Sequence, residues 1–184
     1  MPAIPADITT FWTTAGPAKW FAKSAAFDDA IRLRFEPVHH TAARGEYLAW
    51  EHTADGALAL LLLLDQFPRN LYRGSAHAFA TDPLARAIAG RAVDAKMDQA
   101  APVQLRPFFY LPFMHSEDLA DQDRSVALYE AHDAETGDID SLRSAVTHRD
   151  IVKRFGRFPH RNAVFGRVST PEELVFLAGG GFSG

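Results

Sequence analysis

Ala54-Asp55-Gly56-Ala57-Leu58-Ala59-Leu60-Leu61-Leu62-Leu63-Leu64-Asp65-Gln66 is the stretch on which the fold turns. Ala and Leu are the residues that lose least on entering a helix. From Ala57 to Leu64 every position is apolar, so such a helix has no polar face to offer water and must lie centrally. The run is far shorter than the roughly 20 residues needed to cross a bilayer, and Asp65 ends it. The stretch therefore predicts a buried core helix over 54–66.

The pattern continues outward on both sides. Ala and Leu outnumber Ile and Val, apolar residues recur at spacings of three and four, and no hairpin pattern appears, which predicts helices throughout. Phe27, Ile31, Phe35 and Val38 make one helical stripe, in which Pro37, lacking an N–H, predicts a break near Glu36. Asp82 before Pro83 reads as a cap for a helix over 83–95, with Ala85, Ile88, Ala89 and Ala92 on its inner face. An aromatic segment from Pro102 to Tyr110 should stop at Pro112. Ser116 reads as the cap of a helix running towards Glu135. Gly137 and Asp138 mark a break, and a helix with Ile139, Leu142, Ala145, Val146, Ile151, Val152 and Phe155 comes next, which Gly156 can end in the left-handed conformation. Thr170-Pro171-Glu172-Glu173 is a helix-start signal. Residues 179–184 read as a flexible Gly-rich tail that Phe182 can pin.

With 184 residues, 47% hydrophobic and 23% charged, the chain fits a single helical domain over 1–184. Its formal net charge of −4 supplies no global field for phosphate backbones, which makes bulk nucleic-acid binding an unfavourable reading. The absence of Cys removes disulfides, thiolate catalysis and sulfur-ligated zinc, and suits a reducing compartment; cytoplasm is the expectation. Met1 to Thr10 carries no basic cluster or long apolar run, so nothing in it marks export.

One internal echo stands out. Phe67-Pro68-Arg69-Asn70 succeeds the apolar helix, and Phe158-Pro159-His160-Arg161-Asn162 succeeds the last long one. In each, Pro should stiffen a helix exit, Phe anchor it, and Arg and Asn bond freed carbonyls.

Leu64-Asp65-Gln66-Phe67-Pro68-Arg69-Asn70, Tyr110-Leu111-Pro112-Phe113-Met114-His115-Ser116-Glu117 and Arg154-Phe155-Gly156-Arg157-Phe158-Pro159-His160-Arg161-Asn162 together carry a resemblance. The chain resembles the uncharacterised bacterial family known as domain of unknown function 924, from Phe11-Trp12 to the segment Ser169–Glu173. The resemblance implies an all-α, irregular helix-pair (tetratricopeptide-like) superhelical bundle and no established activity. It also implies an acidic residue where this chain has Met114. No regular repeat near the roughly 34-residue tetratricopeptide period is visible, which favours irregular pairs.

The candidate site residues lie in those motifs, apart from His148 on the helix before the third. Asp65, at a buried helix's C-terminal end, requires a cationic partner, for which Arg69, Arg154, Arg157 and Arg161 are candidates. His115 and Glu117 flank the expected Ser116 cap, where an anion could bind, or where both could join His148 or His160 around a divalent metal; the structural alternative is that Glu117 meets the helix dipole while His115 packs beside Phe113. His148 shares a face with Ala145, Ile151, Val152 and Phe155, so it is a core histidine bonded to a carbonyl or a general base. Arg149, Lys153, Arg154, Arg157, Arg161 and Arg167 make the dense basic run, which could grip an anion, stack a nucleobase, or pair with Asp65 and Glu117. The His-x-Glu spacing of zinc deaminases lacks its cysteines here, and His132-Asp133 alone is too slight a signal for a metal phosphohydrolase.

The leading expectation is a pocket for a small anionic ligand, binding or enzymatic, with His115, His148 and His160 as proton-handling residues. Asp65, Gln66, Arg69, Asn70, Glu117, Arg154, Arg157, Arg161 and Asn162 would bind the ligand. No cofactor or metal is assigned. The rival is a noncatalytic helical module that binds a protein partner in a groove, its motifs serving only as joints.

Overall fold

The computed structural model describes residues 3–182, and among these every regular element is helical, as the periodicity predicts. No helix among them is long and apolar enough to cross a membrane. The chain divides into two compact units, Met1–Pro112 and Phe113–Gly184.

The first unit opens with α1 (Pro5–Ala15), the short α2 (Pro17–Trp20) and α3 (Ala25–Ala43). α3 runs unbroken through Pro37, against the expected break near Glu36. Pro37 is exposed and Leu33, one turn earlier, is 86% exposed, so the carbonyl that loses its donor faces water rather than a dry core. α4 (Ala54–Leu61) starts at Thr53, whose hydroxyl accepts from the Gly56 N–H. Ala57 to Leu64 are all at most 2% exposed, as the apolar run demands.

Beyond α4 the chain departs from expectation. The helix does not end at Gln66: it widens into a π turn (Leu62–Gln66) and continues as α5 (Phe67–Leu71). Pro68 is the cause of a local shortage of donors. Its missing N–H, and the shift to i→i+5 bonding that joins the Phe67 N–H to the Leu62 carbonyl, leave the next carbonyls unfilled. Three side chains fill them. His39 Nδ1 donates to the Leu63 carbonyl at 2.8 Å, the Thr81 hydroxyl to Leu64, and Arg69 to Asp65.

α6 (Asp82–Asp94) and α7 (Met97–Ala100) complete the shell around α4, and α8 (Pro107–Met114) closes the segment. Asp82 does not cap α6 as expected, because Arg69 takes both of its carboxylate oxygens at 3.0 Å. Pro112 lies inside α8 rather than ending it.

In the second unit, α9 (Leu119–Thr136) and α10 (Ile139–Phe155) form a helix pair joined at Gly137-Asp138. The N-cap of α9 is Asp118, not Ser116, whose hydroxyl accepts from the Asp118 N–H and bonds Asp121 instead. Gln122, fully buried, donates to the Met114 and Ser116 carbonyls at 2.6 Å, a helix-end role that the sequence did not disclose. α10 ends at Gly156, left-handed at φ 69°, as expected. α11 (Pro171–Ala178) begins with the anticipated capping box between Thr170 and Glu173.

Candidate functional site

In the first unit, the motif Asp65–Asn70 becomes a network of its own. Arg69, among the four cations weighed for Asp65, lies 3.4 Å from that carboxylate and bridges it to Asp82. Gln66 donates to Asp65. Asn70 bonds no helix-end carbonyl; it donates to Asp28 at the start of α3, at 2.7 Å, beside the Arg73 fork. Burial opposes ionisation of Asp28, but Arg73 and Asn70 outweigh it and hold the carboxyl below its ordinary range. A π turn whose carbonyls are held by three side chains is the unusual backbone feature of this unit.

In the second unit, Arg154, Arg157 and Arg167 of the basic run meet carboxylates. Arg157 forks onto Glu173 at 2.6 and 2.8 Å, and Asn162 and the Thr170 N–H reach the same carboxylate. The Arg157 bond is the main reason the Glu173 carboxyl titrates low, at about 2. Arg154 pairs with exposed Glu172 and lies over the Phe155 ring. Glu117 does not sit in the first turn of α9; it accepts from the Phe158 N–H and from both arms of Arg167. Burial works against its charge, yet those bonds lower its pKa. Sequence reading saw Glu173 only as a cap and Arg167 only as one of a run, since neither has a signal for a partner distant in sequence.

The three histidines do come near one another. The rings of His115 and His148 are 6.4 Å apart, and Phe158 lies 5.6 Å from both His148 and His160. Phe182 caps the group, 4.5 Å from His148 and 5.2 Å from His160. It is brought there by the turn after α11, where the Gly181 N–H bonds the Phe176 carbonyl. A side chain at Gly181 would stand only 2.6 Å from that oxygen, so the turn closes only with glycine. Ser183 and Gly184, the end of the tail read as flexible, lie outside the described residues.

Each ring has its own environment. His148 Nδ1 donates to the Ser144 carbonyl at 2.7 Å, the core-histidine bond expected. Arg161 donates to the His115 carbonyl at 3.0 Å while its guanidinium lies 4.6 Å over Phe158. His160 differs: its Nδ1 is buried without a hydrogen-bond partner. Burial foremost, then the adjacent charge of Arg161, pushes its pKa down to about 4, so at neutral pH the ring is uncharged and carries one lone pair. Among the described residues no three His, Asp or Glu side chains are grouped to hold a metal ion.

Comparisons with known proteins match these observations to a family. Residues 8–181 fit the description "Bacterial protein of unknown function (DUF924)". A solved structure of a protein of unknown function from Agrobacterium tumefaciens is similar, at 53% identity and a TM-score of 0.88, over 94% of this chain and 96% of that one. No curated protein matches. All three motifs lie within the matched span, and the chain belongs to the DUF924 family of bacterial proteins of unknown function.

Proposed function

We propose that the second unit binds a small anionic molecule at the cluster of His115, His148 and His160. The observation that carries this reading is His160, a neutral ring whose buried Nδ1 has no hydrogen-bond partner, held beside the guanidinium of Arg161. A buried polar nitrogen without a partner costs about 1–3 kcal/mol. An anionic oxygen accepting from the Nδ1–H tautomer would remove that cost. The charge of Arg161, which adds to burial in keeping His160 unprotonated, also attracts a carboxylate or phosphate. Arg154 and Arg157, paired with Glu172 and Glu173, stiffen the walls in this reading, and Arg161 supplies the charge. His148, whose Nδ1–H is held by the Ser144 carbonyl, keeps Nε2 as the proton acceptor of the cluster in this reading. We place the protein in the cytoplasm, in keeping with its lack of cysteine.

Native mass spectrometry of freshly purified protein, with histidine ring NMR during titration with inorganic phosphate and acetate, tests the reading. It predicts an added mass or a shift of the His160 ring signals that His160→Gln abolishes. An apo mass with all three rings unmoved by either anion would overturn it and leave the noncatalytic interaction module.

A further inference from the structure

A second recognition feature lies wholly within the first unit and is independent of the histidine cluster. Between α1 and α3 runs an open groove of about 780 Å³, within the size range of small-molecule sites. Its apolar floor is Phe11 and Phe27, whose rings are parallel to within 4° at 5.6 Å. Small side chains, Ala15, Ala26 and Ala30 among them, line the rest of the groove. The guanidinium of Arg34 stands 4.9 Å over the Phe11 ring, and Lys19 lines the same groove. Neither cation pairs with a carboxylate among the described residues. Asp7 is the lone acid in the lining, and its carboxylate is engaged by the Ile4 N–H at 3.1 Å. In a chain of net charge −4 the groove is thus a local positive, aromatic surface.

We propose that this groove binds a small aromatic carboxylate. Its ring would lie against Phe11 and Phe27, and its carboxylate would meet Arg34, whose planar fork matches two oxygens, with Lys19 adding charge. An exposed salt bridge alone contributes little, so selectivity requires ring and charge together. That requirement separates this site from a bare anion site and from a greasy surface.

Amide chemical-shift mapping with three probes decides it: naphthoate, its neutral analogue naphthylmethanol, and acetate. Naphthoate should shift the amides of Thr10, Phe11, Ala30 and Arg34, and bind about tenfold more tightly than either other probe. Arg34→Gln should weaken naphthoate about tenfold. Ala30→Trp, which fills the groove from a partly exposed position, should abolish the shifts while thermal unfolding stays unchanged. Naphthylmethanol or acetate binding as well as naphthoate, shifts confined to other elements, or an Ala30→Trp protein that binds normally would each overturn the proposal. Loss of histidine-site binding in the second unit would leave these outcomes untouched.

Discussion

Phe67-Pro68-Arg69-Asn70 and Phe158-Pro159-His160-Arg161-Asn162 have nearly the same composition, and the chain puts them to opposite uses. The first copy lies within a continuing helix, whose lost backbone bonds are replaced by His39, Thr81 and Arg69. The second comes after a finished helix, and Pro159 begins a single 3₁₀ turn over Pro159–Arg161. The difference lies before the motif. Left-handed Gly156 has already turned the chain two residues ahead of Phe158, whereas Asp65-Gln66 offer no such stop ahead of Phe67. Proline alone therefore did not decide whether the helix ended. The helix ended where left-handed Gly156 had turned the chain, and it continued where His39, Thr81 and Arg69 replaced the bonds that were lost around Pro68.

The comparison can be broken at its shared member first. Phe67 and Phe158 are both fully buried, so Phe67→Ala and Phe158→Ala should each cost about 3–5 kcal/mol, read by urea unfolding. A small loss at either site would show that its ring is not an anchor. Next, Arg69→Ala removes the guanidinium shared by Asp65 and Asp82 and should cost about 3 kcal/mol, since it strands buried carboxylate charge. Unchanged stability would remove the network from the account of the π turn.

Thr81→Val takes the donor from the Leu64 carbonyl and should cost about 1–3 kcal/mol. In a Pro68→Ala background, where a backbone N–H returns, the same change should cost clearly less. Equal costs in the two backgrounds would mean that Pro68 is not what left that carbonyl open. The last effect belongs to the second copy and is a pH effect. His160 titrates near 4 folded against an ordinary 6.5, so as pH falls through that window the unfolded chain takes up the proton first. Its contribution to stability is complete above about 6.5 and lost progressively down to about 4. His160→Gln should flatten the decline in urea midpoint between neutral and mildly acidic buffer. An unaltered decline would assign it to another group, of which His39, also lowered by burial, is the alternative to test.

Much of the architecture was legible because it rests on local chemistry. The apolar run from Ala57 to Leu64, the Gly156 stop and the Thr170–Glu173 capping box each act through residues within a turn or two. Legibility failed where distant donors intervene. Pro37, Pro68 and Pro112 each read as a stop, and each lies in helix. Ser116 and Asp82 read as caps, but Asp118 takes the first role and Arg69 draws Asp82 away from the second. Of the candidate site, His115, His160 and Arg161 were named from their motifs and His148 from its helical face, while the Arg157–Glu173 fork joins residues 16 apart that no spacing rule connects.

The sequence by itself determined that this chain is helical, where its central helix lies, and which family it belongs to, because periodicity, propensity and motif are properties of neighbouring residues. Tertiary structure alone decided which charges meet, which prolines the helices tolerate, and that His160 Nδ1 is buried without a hydrogen-bond partner. Those outcomes depend on donors and acceptors from remote segments, and a hydrogen bond is set by distance in space rather than by separation along the chain.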